Sequence, residues 1–207
     1  IKKGSSIARG NGRSYGDSSI NINNTIKMKN FNKIISFNEK NGQLIVESGV
    51  TLKNILEKYI PLGWFPFVTP GSKYVTIGGM IAADVHGKNH HKEGGLSNYV
   101  DWIDLIDHKG NLQRCSRNEK PDLFSYTNGG MGLTGIILRA AIRLRPIETG
   151  WIKQKTLIAN NLDEVMEIFE NSLESTYSVA WIDCFKKQND IGRSVVLLGE
   201  HAKINEI

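Results

Sequence analysis

Cysteine is nearly missing from this sequence, two residues in 207, and that scarcity excludes a disulfide framework and any cysteine-based metal cluster. Cys115 and Cys184 have no metal or redox spacing, so both read as free thiols of a reducing compartment. Long apolar runs are missing too. No stretch approaches the roughly 18 residues that a membrane-spanning helix needs, and no basic-then-apolar segment reads as a secretory leader. The net charge of +5 fits nucleic acid, an anionic cofactor or a membrane surface by its sign alone. The lysines are scattered, however, with short pairs such as Lys186 and Lys187, and they lack the interleaved aromatics of a nucleic-acid stripe. Nucleic acid is not an expected partner. No Gly-Lys-Ser/Thr follows a glycine loop, which excludes a P-loop, and no Ser-His-Asp order supplies a nucleophile. The chain begins at Ile1 without methionine, in a segment that reads as an apolar-flanked strand entering a loop, and it is expected to be a fragment at both ends.

What the sequence does have is glycine, 21 residues, and much of it falls in three clusters. The first lies in "ARGNGRSYGDSSIN", where Gly10, Gly12 and Gly16 are interspersed with Arg9 and Arg13. Consecutive backbone N–H groups in such a turn form an anion-binding concavity, to which an arginine adds charge; a plain turn is the other reading. The spacing Gly10-x-Gly12-x-x-x-Gly16 is not the Rossmann dinucleotide fingerprint. The second cluster, "TPGSKYVTIGGMIAADVHGKNHH", holds a Pro70-Gly71 turn, Thr76 as a cap and a helix of small residues over Ile77 to Val85. Gly78 and Gly79 each cost that helix about 1 kcal/mol, which makes sense where a helix start must approach a ligand. The third runs through Gly129, Gly130, Gly132 and Gly135.

Between the clusters the periodicities are ordinary. Short strands flank Asn41-Gly42, a hairpin turn. Thr51 caps a helix marked by Leu52, Ile55, Leu56 and Tyr59 and stopped at Pro61. Val100 and Trp102 to Ile106 alternate, turn at Lys109-Gly110 and return as a half-buried hairpin, on which Asp104 and Asp107 read as solvated. After a short helix at "PDLFSYT", a strand carries Ile136, Leu138, Ala140, Ile142 and Leu144 on a core face and Arg139, Arg143 and Arg145 on a face for solvent or an anion. From Trp151 the glycine thins out. Asn161 and Glu164 form a capping box ahead of an apolar helix face of Leu162, Val165, Met166, Phe169 and Leu173. Strands follow at Tyr177 to Phe185 and Ser194 to Leu198, with a domain boundary near Pro146 to Trp151.

"ADVHGKNHH" has three readings. Asp84, His86, His90 and His91 invite a metal, but Gly87, Asn89 and Gly94-Gly95 disfavour the helix that would place two histidines on one face; no metal is expected. His86 and Lys88 lining a pocket is the second reading, and a polar surface loop is the third. Trp64, Trp102 and Trp151 read as core residues; Trp181 could face a cleft.

Taken together, "ARGNGRSYGD", "TPGSKYVTIGGMIAADVHGKNHH" and "GGMGLTGIILRAAIRLRP" resemble, in order and spacing, the FAD-binding domain of the vanillyl-alcohol oxidase superfamily. The resemblance is strongest to its decaprenylphosphoryl-ribose 2-oxidase branch and covers essentially the whole chain. It implies an α+β, two-subdomain PCMH-type flavin fold over residues 1–148, followed by the start of a truncated α+β substrate domain over 149–207. It implies FAD contacts from Ala8, Arg9, Gly10, Asn11, Gly12, Arg13, Ser14, Tyr15, Gly16, Asp17 and Ser18, from Gly71, Thr76, Ile77, Gly78 and Gly79, from Ala83, Asp84, Val85 and His86, and from Ile137. His86, Gly87 and Lys88 come to lie where flavin meets substrate. Covalent members carry a histidine where this chain has Arg13, so the FAD is expected to be non-covalent. The implied chemistry is oxidation of a sugar hydroxyl, on a polyprenyl-linked or otherwise activated sugar, with hydride passing to the flavin and the keto sugar going on to a short-chain reductase partner for net epimerisation. An aldonolactone or alditol oxidase of the same superfamily is the alternative, as is an inactive FAD-binding fragment. The implied location is the cytoplasm, with room for peripheral membrane contact.

Overall fold

The computed structural model describes residues 5–207; the first residues of the segment expected to enter the glycine loop lie outside them. The chain runs β1 (Ser6–Arg9), β2 (Asn24–Lys27), β3 (Ile34–Asn38), β4 (Gln43–Glu47), α1 (Leu52–Tyr59), β5 (Trp64–Pro66), α2 (Ile77–Ala82), α3 (His90–Glu93), β6 (Val100–Ile106), β7 (Leu112–Ser116), α4 (Pro121–Thr127), β8 (Ile136–Pro146), β9 (Ile152–Ala159), α5 (Leu162–Glu170), β10 (Tyr177–Ile182) and β11 (Ser194–His201). The architecture is α+β. A short parallel pair joins β1 to β2, the main sheet has the order β3-β4-β8-β6-β7 with β5 also on β8, and a second sheet has the order β10-β11-β9. No helix among the described residues is long and apolar enough to cross a membrane.

Local chemistry accounts for most element ends. Gly42 adopts φ +68° between β3 and β4, the conformation that Asn-Gly supplies at little steric cost. Thr51 caps α1: its Oγ1 accepts from the Asn54 N–H at 3.2 Å while Asn54 Oδ1 accepts from the Thr51 N–H at 3.1 Å. The apolar stripe of α1 then packs on the main sheet, and Leu44, Val46, Leu52, Ile55, Ile103, Leu105, Ala140 and Ile142 belong to one buried core. That core fixes β8 as the spine against which the site is built.

Several expectations need correction. The helix expected to reach Val85 stops at Ala82, because Ile81 and Ala82 give their carbonyls to the N–H groups of Gly129 and Met131 at 3.0 and 2.8 Å. Asp84 then turns left-handed, φ +38°, and its carboxylate accepts from the Ser97 N–H and Oγ. The arginine face of β8, read as facing solvent or an anion, is partly solvent-exposed at Arg139 and Arg143, but its charges are paired, Arg139 with Asp104, Arg143 with Asp101 and Arg145 with Glu93, and Ile137 and Ala141 on the same side are buried. Asp104, expected in solvent, is 2% exposed. Burial alone raises its pKa, but the bonds from Arg114 and Arg139 outweigh that and hold it below the ordinary carboxylate value. Trp102 lies under Arg114, whose guanidinium is 4.0 Å from the ring centroid.

The second sheet is covered on one face. Val165 and Phe169 of α5 pack on Ala159, Val196 and Leu198, while Leu162, Met166 and Leu173 of the expected apolar stripe stay about half exposed. Asn161 caps α5 through the Glu164 N–H, but the Glu164 carboxylate bonds Asn160 instead of closing the box. Trp151, expected in the core, is exposed, as is Trp181; both lie outside the apolar cluster that α5 covers.

Candidate functional site

Three backbone segments far apart in sequence converge on one trough. The loop after β1 contributes Ala8, Gly10, Asn11, Gly12, Arg13, Ser14 and Ser18; α2 and its flanks contribute Val75, Thr76, Gly78, Gly79, Met80, Ala82, Ala83 and Val85; the turn before β8 contributes Met131, Gly132 and Gly135, with Ile137 on the strand itself. Ser19, Met28 and Ser48 complete the wall. The trough has about 920 Å³ of empty space with its open mouth included.

Glycine sets the distances between these walls. A Cβ on Gly10 would lie 2.1 Å from Thr76 Oγ1, so the first loop can sit on the start of α2 only if residue 10 has no side chain. Thr76, at the N-cap of α2, makes no side-chain capping bond. The first two α2 amides are satisfied by the chain instead, Ile77 N–H by Val50 O and Gly78 N–H by Ser48 O, both at 2.8 Å. Gly79 differs. Its Cβ would meet Thr76 Oγ1 at 3.3 Å and otherwise open space, so there the missing side chain widens the trough.

The wall carries polar groups of both backbone and side chains. The amides of Asn11, Gly12, Arg13 and Ser14 have no hydrogen-bond partner among the described residues, which leaves a row of donors for an anion. Ser48 Oγ is buried on the wall and also lacks a partner, and a buried hydroxyl without a bond is costly. Arg13 is the only charged side chain among the described lining residues. Met28, Val75, Met80, Val85 and Ile137 make the rest apolar.

Other expected site residues lie off the trough. Arg9 folds back beneath its own loop, where its guanidinium donates to Ser19 Oγ at 2.9 Å and lies beside Gly12, whose φ of +61° disfavours any side chain there. Tyr15 is fully exposed, and Gly16 and Asp17 are also exposed. Gly71 sits in an open bend, Ile77 is in the core, and Asp84 braces Ser97. His86 follows Val85 just beyond the trough; it is exposed, with its ring 5.4 Å from that of His90. Lys88 is also exposed, on the hairpin that the antiparallel His86–Gly95 bridge closes, and its carbonyl accepts from the Ser178 N–H at 2.9 Å. One turn of helix does form at His90–Glu93. No group of three or more metal-ligating side chains occurs among the described residues.

Sequence reasoning misses Ser19, Met28, Ser48, Val75, Met80, Ala82, Met131, Gly132 and Gly135. For the last three a signal exists, since the third glycine cluster stands out in the sequence and only its role is hidden. That cluster caps α2, and Gly132 and Gly135 take φ +82° and +152° to lay the turn along the trough. Ser48 and Met28 carry no local signal.

Comparison with known proteins supplies the remaining observations. Residues 2–116 match a family model described as an FAD binding domain. The chain is 38% identical over 206 residues to the decaprenylphosphoryl-beta-D-ribose oxidase of Mycolicibacterium smegmatis, covering 97% of this chain and 45% of that protein. It is 36% identical over 154 residues to an uncharacterized protein of the mprA 5' region of Streptomyces coelicolor, covering 74% and 41%, and 34% identical over 116 residues to cytokinin dehydrogenase 5 of Arabidopsis thaliana, covering 54% and 20%. The chain thus spans less than half the length of these relatives.

Proposed function

The chain belongs to the FAD binding domain family, and from that premise we propose that the trough holds FAD and that the full-length protein is an FAD-dependent oxidoreductase acting on a sugar hydroxyl. The observation that carries the reading is the convergence of three glycine-bearing segments on a single trough lined by unpartnered amides and the orphaned Ser48 hydroxyl. These groups fit the cofactor. Amides of Asn11 to Ser14 suit its diphosphate, the open side of Gly79 gives room for close backbone approach, and the apolar wall suits a planar ring.

FAD, when bound, supplies the two-electron acceptor. The chain's own groups hold, orient and shield. Arg13 adds charge at the amide row; Met80, Val85 and Ile137 exclude water from the floor. His86, next to the trough, offers a ring nitrogen for the proton of the hydroxyl being oxidised, and the Lys88 ammonium holds an anionic or polar group of the substrate. The first relative is named for a lipid-phosphate-linked ribose, which supports a polyprenyl-linked or otherwise activated sugar as the substrate class. A short-chain reductase that consumes the keto sugar completes the proposed epimerisation. We also propose residues 149–207 as the beginning of the substrate domain.

Full-length protein purified gently is expected to show a flavin band near about 450 nm and to oxidise lipid-linked sugars in preference to free ones. Absence of the band overturns the cofactor assignment, and preference for free alditols or aldonolactones overturns the substrate class. With Arg13 in the first loop the flavin is expected to dissociate on denaturation. A denatured-protein mass that retains FAD refutes that reading.

A further inference from the structure

A part-buried polar cluster joins the His86–Lys88 hairpin to the second sheet, and we propose that Arg145 is a positioning residue that holds this hairpin beside the trough. The inference rests on the assignment of His86 and Lys88 to the pocket. Arg145, near the end of β8, has a side chain only 17% exposed. Its Nη1 donates to Glu93 Oε1 at 3.1 Å and its Nη2 to the Tyr177 hydroxyl, and the guanidinium lies 5.7 Å from the ring centroids of both Phe67 and Tyr177. Glu93 ends α3 and Tyr177 begins β10. The next residue, Ser178, donates its N–H to the Lys88 carbonyl at 2.9 Å.

These contacts close a ring. It runs from Lys88 along α3 to Glu93, across Arg145 to Tyr177, and through Ser178 back to Lys88. The Tyr99 hydroxyl bonds the second Glu93 oxygen, with its ring stacked on Phe67 at 4.0 Å, and the Tyr177 hydroxyl meets His201 Nε2 at 3.1 Å. Within the hairpin Asn89 is fully buried, its Nδ2 donating to Phe67 O at 2.7 Å. A Cβ on Gly87 would come within 2.9 Å of Thr69 O, so the hairpin lies this close to residue 69 only with glycine at 87.

Other bonds tie the same segments, but His91 to Ser175 and Lys92 to Glu174 lie at exposed positions, where water competes. The Arg145 fork is sheltered, and it holds two elements at once. A lysine keeps the charge but, as a point donor on a flexible stem, does not reproduce the planar fork. Arg145 does not line the trough, so its effect on FAD binding and its effect on the hairpin are separable.

The test uses full-length protein. In Arg145→Met, hydrogen exchange of residues 86–99 is expected to rise about ten- to a hundredfold, the scale of losing a charge-assisted bond, with exchange across α2 and FAD affinity unchanged. Arg145→Lys is expected to restore part of the lost protection. A folded Arg145→Met with wild-type exchange over 86–99 overturns the proposal, as does exchange that rises everywhere together with weaker FAD binding. If Arg145→Met does not fold, Glu93→Gln and Tyr177→Phe each open one link, and wild-type exchange in both is equally fatal. Should the wild type bind no FAD, the flavin reading falls while the exchange result still judges the ring.

Discussion

Gly79→Ala separates what the trough does for a ligand from what it does for the fold. Residue 79 is in the first turn of α2, where alanine is favoured over glycine by up to about 1 kcal/mol. The added Cβ lies 3.3 Å from Thr76 Oγ1 and meets nothing else within 4 Å. Thr76 must yield a few tenths of an ångström against Gly10, which offsets part of the gain. Net stability therefore stays within about 1 kcal/mol, or roughly 2–4 °C for a chain of this size. The methyl projects into the trough, however, and overpacking costs about 1–3 kcal/mol, which weakens FAD binding about 5- to 150-fold. Gly78→Ala is the control: its Cβ would sit 2.8 Å from Ser48 Cβ and 3.2 Å from Ser48 O, and the Gly78 N–H bond to that same oxygen keeps the two segments from parting. It should melt clearly lower. Flavin-fluorescence titration of apoprotein and thermal melts without FAD read the two effects. A Gly79→Ala protein that melts normally and binds FAD like the wild type would refute the placement of the ligand against α2.

Asp104→Asn should lower neutral-pH stability by about 1–3 kcal/mol, less than the loss of a fully buried pair because both guanidinia are about half exposed. Since the folded pKa of Asp104 lies below its unfolded value, its contribution is present above roughly pH 4 and is lost as pH falls through the folded value; melts of wild type and variant should converge in acid, and parallel curves would show that the carboxylate is not the source. Thiol titration should find one reactive cysteine in native protein and two after denaturation, because Cys184 is exposed whereas burial pushes the Cys115 thiol up to about 11. Two fast thiols in the native protein would contradict the packing of β7. Asn161→Ala removes the α5 cap bond and should cost about 1 kcal/mol, seen as a lower urea midpoint at unchanged slope; an unchanged midpoint would mean that Glu164 and Asn160 hold the helix start alone.

The elements that are legible in the sequence are those whose signals are local. Asn41-Gly42, Thr51 with its stripe to Tyr59, and the alternation on either side of Lys109-Gly110 each specify a turn, a cap or a pleat through neighbouring residues, and the chain folds that way. What stays hidden is tertiary. Nothing near Val85 says that Gly129 and Met131 will take the last α2 carbonyls, and nothing near Arg139 says that Asp104 sits opposite it in the β6–β8 register. Ser48 reaches the trough because the segment after β4 passes under α2, and Met28 because the chain after β2 lies against that segment at Gly49, juxtapositions with no trace in any of the segments. Trp151 and the outer stripe of α5 read as core from composition but lie where the second sheet has no covering layer among the described residues.

The arginines show why a site can be found through its glycines and missed through its charges. Arg9, Arg139, Arg143 and Arg145 look like the anion-handling groups of the chain, yet Arg9 bonds Ser19 and the other three are paired with carboxylates. A guanidinium close to a half-buried sheet needs a partner for its fixed donors, and β6 and α3 supply Asp104, Asp101 and Glu93 before any ligand arrives. The charge of these four is thereby committed to the first loop, to register and to the hairpin, and recognition is left to Arg13 and to backbone amides that only glycine-rich turns can aim. Each of the three clusters shapes a different wall. Gly10 lets two walls touch, Gly79 holds them open, and Gly135, at φ +152° with its missing Cβ 2.4 Å from Ile106 O, brings the third wall in. Each works by what its side chain would have obstructed, so the spacing of absent side chains carries the site.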